Sequence, residues 1–286
     1  MPAKKVVLPA IDYDLAATLD SGQVFRWQRS GEVWRGMVGR RLVSLAQGPE
    51  GIHAVVPAPV ENWDWLQHFL QTEIDYATIL KTFPDDEPMR RAVAACRGLR
   101  LLRQDPWECL ASFILSSTKQ IVQIRQIVAQ LGERFGEPCA SGGDASSPVP
   151  RAFPTAERIA AASEADLRAC KMGFRATGLL GAARAVAEGQ LDLEKIRQLD
   201  YAGARSELMQ LHGVGGKIAD CVLLFAYGFD GAFPVDVWVE RALQELYFSR
   251  RRATDQRLRR FAVTHFGPHA GYAQQFLFHY VRVKRG

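Results

Sequence analysis

The sequence predicts an α+β fold in which an antiparallel β-sheet module precedes a mainly α-helical body. The first observation is that short runs rich in Val, Trp and Phe, separated by glycine-containing turns, fill residues 1–60. The second is that the hydrophobic period changes to about 3.6 residues from Trp63 onward. We therefore predict an N-terminal module with flanking helices over residues 1–95 and a helical body over residues 96–286.

Four segments predict the strands of the N-terminal module. They are VFRWQRS, EVWRGMVG, RLVSLAQG and IHAVVPA, and Ser-Gly, Gly-Arg and Gly-Pro-Glu-Gly turn signals separate them. Such short, closely spaced strands are typical of an antiparallel meander.

The helices follow in order. ENWDWLQHFLQTE and YATILKTF have helical spacing, and Pro88 after an acidic cluster indicates the start of the next helix. PWECLASFILSS and KQIVQIRQIVAQLGERFG predict an apolar and an amphipathic helix, and the Ser/Gly/Pro-rich segment 139–150 predicts a surface connection. Further predicted helices are TAERIAAASEADLRAC, GLLGAARAVAEG, DLEKIRQL, ARSELMQL, KIADCVLLFAY and VWVERALQEL, with two or three more near the C-terminus.

Composition narrows the classes of function. Five cysteines without CxxC or Cys/His ligand spacing predict free, mostly buried thiols and argue against a zinc or iron–sulfur site. No apolar run is long enough for a membrane span, and the first residues lack the apolar segment of a signal peptide, so we expect a cytosolic-type protein. Residues 241–286 contain ten Lys/Arg against two acidic residues, interleaved with aromatic residues, which favours a folded basic face and a polyanionic partner.

A glycine turn joins two of the predicted helices. Gly213, Val214 and Gly215 lie between ARSELMQL and KIADCVLLFAY, so residues of about 205–225 predict a helix-hairpin-helix. Its free backbone N–H groups and the N-terminus of the second helix suit a phosphate, independent of base sequence. A plain helix–helix turn is the alternative.

A lysine and an aspartate begin two adjacent apolar segments. Lys217 starts the helix after the turn, where the helix dipole disfavours the charged amine, and a lysine must be neutral to act as a nucleophile. Asp236 stands at a predicted helix N-cap, where it stays ionised and could stabilise a cation. Cys221 is one helical turn after Lys217 and is otherwise a small core residue.

The motifs together resemble one family. LHGVGGKIADC and PVDVW are similar to the hairpin, lysine and aspartate of the helix-hairpin-helix (HhH-GPD) DNA glycosylases. SGQVFRW, LRLLRQDPWECLASFILSS and GYAQQFLF resemble the 8-oxoguanine DNA glycosylase/AP lyase branch. These motifs cover residues from about 20 to 280.

The resemblance implies roles for several residues. Lys217 would attack C1′ of a flipped nucleotide and form a Schiff base, and Asp236 would stabilise the developing sugar cation. Gly22 would accept the N7–H that distinguishes 8-oxoguanine from guanine. Cys221 and Phe278 would sandwich the base, and Gln274 would contact its Watson–Crick edge.

The resemblance also implies residues that contact the DNA. Phe174 stands where the family has an aromatic wedge, and Arg175 would bind the orphaned partner base. Thr118 and Lys119 occupy a stretch that is usually asparagine-rich, with Thr118 where an asparagine reads the opposite cytosine. Trp238 replaces a phosphate-contacting histidine.

The implied function is a bifunctional glycosylase/AP lyase that acts on duplex DNA containing 8-oxoguanine. No cofactor is required, although a monovalent cation on the hairpin carbonyls is implied, and we expect a monomer without a membrane partner. The location would be cytoplasmic in a bacterium or nuclear in a eukaryote. Two alternatives remain open: a monofunctional glycosylase for alkylated bases, and a non-catalytic helix-hairpin-helix DNA-binding protein.

Overall fold

The N-terminal part of the chain forms a five-stranded antiparallel sheet. The computed structural model describes residues 3–57, 59–117, 120–139, 149–248 and 253–285. Within them, the sheet has the order β1-β5-β4-β3-β2. The strands are β1 Lys4–Leu8, β2 Trp27–Ser30, β3 Val33–Val38, β4 Arg41–Gly48 and β5 Gly51–Val56. The α+β class and the four predicted strands β2 to β5 are confirmed.

Strand β1 was not among the predicted strands, and its presence corrects the simple meander. It pairs with β5 in the register Val6↔Ala54, on the edge opposite β2. Its sequence, KKVVL, does not alternate apolar and polar residues, because only Leu8 of the five residues is buried and needs to be apolar. Charged lysines on an exposed edge also discourage pairing with another chain.

One face of the sheet packs on two helices to form a separate core. Trp27 stacks on Phe69 with ring centroids 5.9 Å apart, and Gly36 is required beneath it, since a Cβ there would lie 2.3 Å from the Trp27 ring. Helix α1, Leu15–Asp20, contributes Leu19 to this core. With six residues, α1 is too short to show a helical period, and the sequence did not predict it.

α-Helices make up most of the remaining described chain. They are α2 Asp64–Leu70, α3 Tyr76–Lys81, α4 Glu87–Ala95, α5 Pro106–Leu115, α6 Ile121–Phe135, α7 Ala156–Ala160, α8 Glu164–Leu167, α9 Arg175–Ala187, α10 Tyr201–Met209, α11 Gly216–Val222, α12 Val237–Tyr247, α13 Asp255–His265 and α14 Ala270–Arg285. Helix α5 is buried almost throughout and packs against α9 and α11, so it forms the centre of the body.

Two predicted helices differ in the structure. DLEKIRQL forms only a short 3-10 turn, Lys195–Gln198, because one apolar residue, Ile196, is buried in it. TAERIAAASEADLRAC divides into α7 and α8, since the Ser163 side chain accepts a hydrogen bond from the Asp166 N–H and starts a new helix. Of the predicted connection 139–150, residues 140–148 lie outside the described part of the chain.

The five cysteines are free and buried, which confirms the prediction of buried thiols. In the part of the chain that the structure describes, every helix is too short or too polar to cross a bilayer.

Candidate active site

A cavity of about 320 Å³ opens where the two parts of the molecule meet. Its walls come from the loop after α1, the ends of α5 and α6, helix α11, the segment before α12, and α14. The lining includes six residues that the sequence predicted for the catalytic and base-binding sites: Gly22, Lys217, Cys221, Asp236, Gln274 and Phe278. The structure therefore brings together residues that are up to 256 positions apart in the sequence, Gly22 and Phe278.

The hairpin presents Lys217 to this cavity. Gly213 has φ +83°, a left-handed conformation that favours glycine, and the Val214 N–H donates to the Leu211 carbonyl at 3.1 Å to close the turn. Gly215 is the N-cap of α11 and has no side-chain cap. The first N–H groups of α11 therefore point out of the turn for an external acceptor.

A buried carboxylate, Asp220, holds the two hairpin helices together. It accepts hydrogen bonds from the Tyr201 hydroxyl at 2.8 Å and from Arg205 Nε at 2.7 Å. The Arg205 guanidinium also fills the space beside Gly216, where a Cβ would lie 2.0 Å from Nη2. Asp220 thus fixes how α10 and α11 cross, and with them the position of Lys217.

The Lys217 amine lies at the C-terminal end of α5. Its Nζ donates to Ser116 Oγ at 2.8 Å and lies 5.3 Å from the centroid of the Phe113 ring. The Ser116 hydroxyl in turn donates to the Phe113 carbonyl at 2.7 Å, so its oxygen is left to accept from the lysine. Within the described chain, no ion pair joins this amine to a carboxylate, Asp236 included.

Asp236 is the N-cap of α12 and also lies on the cavity wall. Its Oδ1 accepts from the backbone N–H groups of Trp238 at 3.0 Å and Val239 at 2.8 Å. Because both bonds use Oδ1, the cap leaves Oδ2 unused. One carboxylate can therefore cap the helix and present negative charge to the cavity.

Cys221 and Phe278 supply apolar surface to the cavity. Burial raises the pKa of the Cys221 thiol to about 12, so the thiol is neutral at physiological pH. Gly22, with φ +83°, lies beside the Phe278 ring, and a Cβ there would come within 2.7 Å of Ile121 Cδ1. Any larger residue than glycine would intrude on this wall.

Two glutamines hold the Gly22 loop, and the sequence did not single them out. Gln23 Nε2 donates to the Arg100 carbonyl at 2.8 Å, and Gln275 Nε2 donates to the Ser21 carbonyl at 3.0 Å. Both side chains are buried. The signal that could have identified them is a glutamine within an apolar segment, as in SGQVFRW and GYAQQFLF. A buried amide in such a segment needs hydrogen-bond partners, which suggests that it holds another part of the chain.

Gln274 has a different character from these glutamines. Its side chain is buried, at 4% exposure, and lines the cavity, but among the described residues its Oε1 has no hydrogen-bond partner. Native proteins seldom leave a buried polar atom without a partner, so Oε1 is suited to accept a hydrogen bond from a bound molecule.

Three of the predicted DNA-contacting residues outside the hairpin, Phe174, Arg175 and Trp238, belong to the described part of the chain. Phe174 projects into solvent at 68% exposure, after a turn in which Lys171 has φ +62°. Arg175 is buried, with its guanidinium 4.5 Å from the Phe174 ring centroid and donating to the Ser117 hydroxyl at 3.1 Å and to the Ser117 carbonyl. Trp238 is part of the cavity rim. Thr118 and Lys119 lie outside the described residues.

The described residues include no group of three or more His, Cys, Asp or Glu side chains that could hold a metal ion. The monovalent cation on the hairpin carbonyls stays a prediction.

Comparisons with known proteins match most of the chain. Residues 5–110 match the family model for the N-terminal domain of 8-oxoguanine DNA glycosylase, and residues 111–266 match that of the HhH-GPD superfamily of base excision DNA repair proteins. A probable N-glycosylase/DNA lyase of Methanothermobacter thermautotrophicus is 30% identical, over 96% of this chain and 95% of the relative. An N-glycosylase/DNA lyase of Arabidopsis thaliana is 33% identical, over 92% and 76%.

The fold is also similar to that of solved structures. One is a Clostridium acetobutylicum 8-oxoguanine glycosylase/lyase in complex with double-stranded DNA that contains cytosine opposite 8-oxoguanine. It superposes with a TM-score of 0.89 at 29% identity, over 98% of this chain and 99% of that one.

Proposed function

The chain belongs to the HhH-GPD superfamily of base excision DNA repair proteins, and from that premise we propose that it is an 8-oxoguanine DNA glycosylase with AP lyase activity. One observation carries the proposal. Lys217 and Asp236 lie on the wall of the same cavity as Gly22, Gln274 and Phe278, a nucleophile and an anion beside groups suited to a purine. A non-catalytic DNA-binding protein has no need of such a cavity.

The chemistry begins with a flipped nucleotide. A base inside the duplex cannot be reached, so the nucleotide must be extruded, at a cost of a few kcal/mol. The exposed Phe174 ring would fill the gap left in the stack, and the hairpin N–H groups would hold a phosphate. For Arg175 to contact the orphaned base, it would exchange its bonds to Ser117 for that contact.

The neutral amine of Lys217 then attacks C1′ of the deoxyribose. The C1′–N9 bond breaks, its electron pair leaves with the base, and the base takes up a proton. Positive charge develops on the sugar in the transition state, and the Asp236 carboxylate on the same wall stabilises it. The nitrogen loses one proton, the C1′–O4′ bond breaks with its electron pair going to O4′, which takes up a proton, and C1′ is left as an iminium ion that keeps one N–H, which is the protonated Schiff base.

The Schiff base then allows the strand to be cut. The iminium withdraws electrons and acidifies C2′, so a base can remove a C2′ proton. The C3′–O bond breaks, the phosphate leaves with its electron pair, and the strand is nicked 3′ to the lesion. The lysine thus serves as nucleophile and as electron sink.

Base recognition uses other residues on the wall of the same cavity. The Gly22 carbonyl would accept the N7–H of 8-oxoguanine, which undamaged guanine lacks, and Gln274 would bind the Watson–Crick edge. The neutral Cys221 thiol and the Phe278 ring offer faces for stacking without adding charge. We also propose that the partner is duplex DNA, that the protein acts as a monomer without a required cofactor, and that the hairpin carbonyls bind a monovalent cation. The location would be the cytoplasm in a bacterium or the nucleus in a eukaryote.

Borohydride trapping tests the proposal. We expect the wild-type enzyme to be trapped covalently on duplexes containing 8-oxoguanine, and Lys217→Gln to abolish both trapping and strand cleavage. Lys195→Gln is the matched control, since Lys195 is exposed on a short turn. Normal trapping by Lys217→Gln would mean that another amine is the nucleophile. Release of an alkylated base without trapping would favour the alkylated-base glycosylase, and DNA binding without release of any base would favour the non-catalytic protein.

A further inference from the structure

Helix α14 has a third cavity residue beyond the two that the family resemblance indicates. Gln274, Phe278 and Arg282 follow one another at intervals of four residues, so all three lie on the same face of the helix. All three line the cavity. The motif GYAQQFLF ends at Phe278, so the family resemblance assigned no role to Arg282.

The Arg282 guanidinium lies at the base-binding end of the cavity. Its Cζ is 5.2 Å from the Phe278 ring centroid, and its Nη1 is 3.4 Å from where a Cβ on Gly22 would be. The group is therefore adjacent to the residue proposed to accept N7–H and to the ring proposed to stack on the base. Lys217, the other cation among the described lining residues, is held at the Ser116 hydroxyl.

The protein itself uses little of the donor capacity of Arg282. Its hydrogen bond within the described chain is a long one, 3.5 Å from Nη1 to the Asp20 carbonyl. The Asp20 carboxylate instead pairs with Arg125, whose Nη2 is 2.8 Å from Oδ1. A guanidinium has five donors, and here burial removes part of its hydration, which lowers the pKa of Arg282. Acceptor atoms of a ligand would replace the hydrogen bonds to water that the Arg282 guanidinium loses on burial.

We propose, on the basis of the function proposed above, that Arg282 is a specificity-determining residue that donates a hydrogen bond to a carbonyl oxygen of the oxidised base. 8-Oxoguanine has carbonyl oxygens at C6 and C8, whereas the other polar groups of its edge are mainly N–H donors. The Gly22 carbonyl and Gln274 Oε1 are acceptors for those N–H groups. Arg282 supplies the complementary donor, and its Phe278 contact holds it next to the base plane.

The test compares two substrates that differ only in the presence of the base. Excision is measured under single-turnover conditions on a duplex containing 8-oxoguanine, and strand cleavage on the same duplex with a preformed abasic site. We expect Arg282→Met to slow 8-oxoguanine excision at least about tenfold, the loss typical of one charge-assisted hydrogen bond, and to leave abasic-site cleavage unchanged. Arg282→Lys keeps the charge but loses the planar fork, so it should restore only part of the rate.

Arg91→Met is the control for net charge, because Arg91 is an exposed residue of α4. Equal losses on both substrates, together with a weaker salt dependence of duplex binding, would overturn the proposal in favour of a phosphate contact. Unchanged excision in a folded Arg282→Met protein would overturn it as well. A wild-type enzyme that cleaves abasic sites but does not excise 8-oxoguanine would instead refute the proposed function.

Discussion

The Lys217 amine experiences opposing local fields. The N-terminus of α11, where the lysine begins, disfavours a positive charge. The C-terminus of α5, where the amine ends, favours one, and so does the face of the Phe113 ring. The side chain therefore spans two helix ends, and the Ser116 hydroxyl receives its amine at the point where they meet. This geometry predicts that Ser116 positions the proposed nucleophile.

We expect Ser116→Ala to slow Schiff-base formation about three- to tenfold, because the amine loses the neutral hydrogen bond that directs it. Duplex affinity should not change, since Ser116 binds the lysine and not the phosphates. Borohydride trapping on abasic-site DNA measures the rate, and a binding titration measures the affinity. Ser116→Thr, which keeps a hydroxyl, should restore the rate. An alanine variant that is trapped as fast as wild type would show that the bond plays no part in attack.

At the scale of elements, the carboxylate at the N-terminus of α12 has two roles, which substitutions can separate. Asp236 caps the helix through Oδ1 and faces the cavity with the same group. Asparagine is about as good an N-cap as aspartate but has no charge. Asp236→Asn should therefore keep the stability of the fold and lower the single-turnover rate by about 10²- to 10³-fold, as removal of transition-state electrostatics does.

Asp236→Ala is the matching variant, because it loses the cap as well as the charge. We expect the same loss of rate and a further loss of about 1 kcal/mol in the free energy of unfolding. Denaturant titration measures the stability of both variants. If Asp236→Asn keeps full activity, the carboxylate serves only as a cap, and the anion of the reaction must come from elsewhere.

The elements that the sequence predicted well are those with a local signal. Helix α5 begins with an Asp105 cap and Pro106, and α6 has an apolar face over fifteen residues, so both are visible in a short window. Strand β1 and helix α1 have no such signal, because their few apolar residues become meaningful only against β5 and the sheet. DLEKIRQL had helical spacing but buries only Ile196, and tertiary packing decided its short turn.

The same distinction holds for the site. Lys217 and Gly22 were predicted because they lie in motifs with a recognisable family pattern. Ser116 and Gln275 act through partners far away in the sequence, so no local pattern assigns their roles. Arg282 lies outside the motif, although its four-residue spacing from Phe278 was readable once the helix was known.

At the scale of the whole molecule, the cavity depends on how the β module joins the helical body. The Gly22 loop is held in place by Gln23, whose side chain has no exposed surface. Its Nε2 donates to the Arg100 carbonyl at 2.8 Å, and its Oε1 accepts from the Leu102 N–H at 2.8 Å. The amide thus links the Gly22 loop, which is proposed to recognise the base, to the segment that leads into α5.

Gln23→Leu should therefore weaken both stability and lesion recognition. The apolar side chain leaves the buried Leu102 N–H without its acceptor, which costs about 1–3 kcal/mol in the free energy of unfolding. It also frees the Gly22 loop, so the preference for 8-oxoguanine over guanine should fall while abasic-site cleavage, which needs no base contact, persists.

Gln28→Leu is the control, because Gln28 is exposed on β2 of the same module. If the leucine variant were destabilised but kept the wild-type ratio of cleavage between duplexes with 8-oxoguanine and duplexes with guanine, Gln23 would have only a structural role. Loss of that ratio would show that recognition of the damaged base depends on how Gln23 ties the Gly22 loop to residues 100–102.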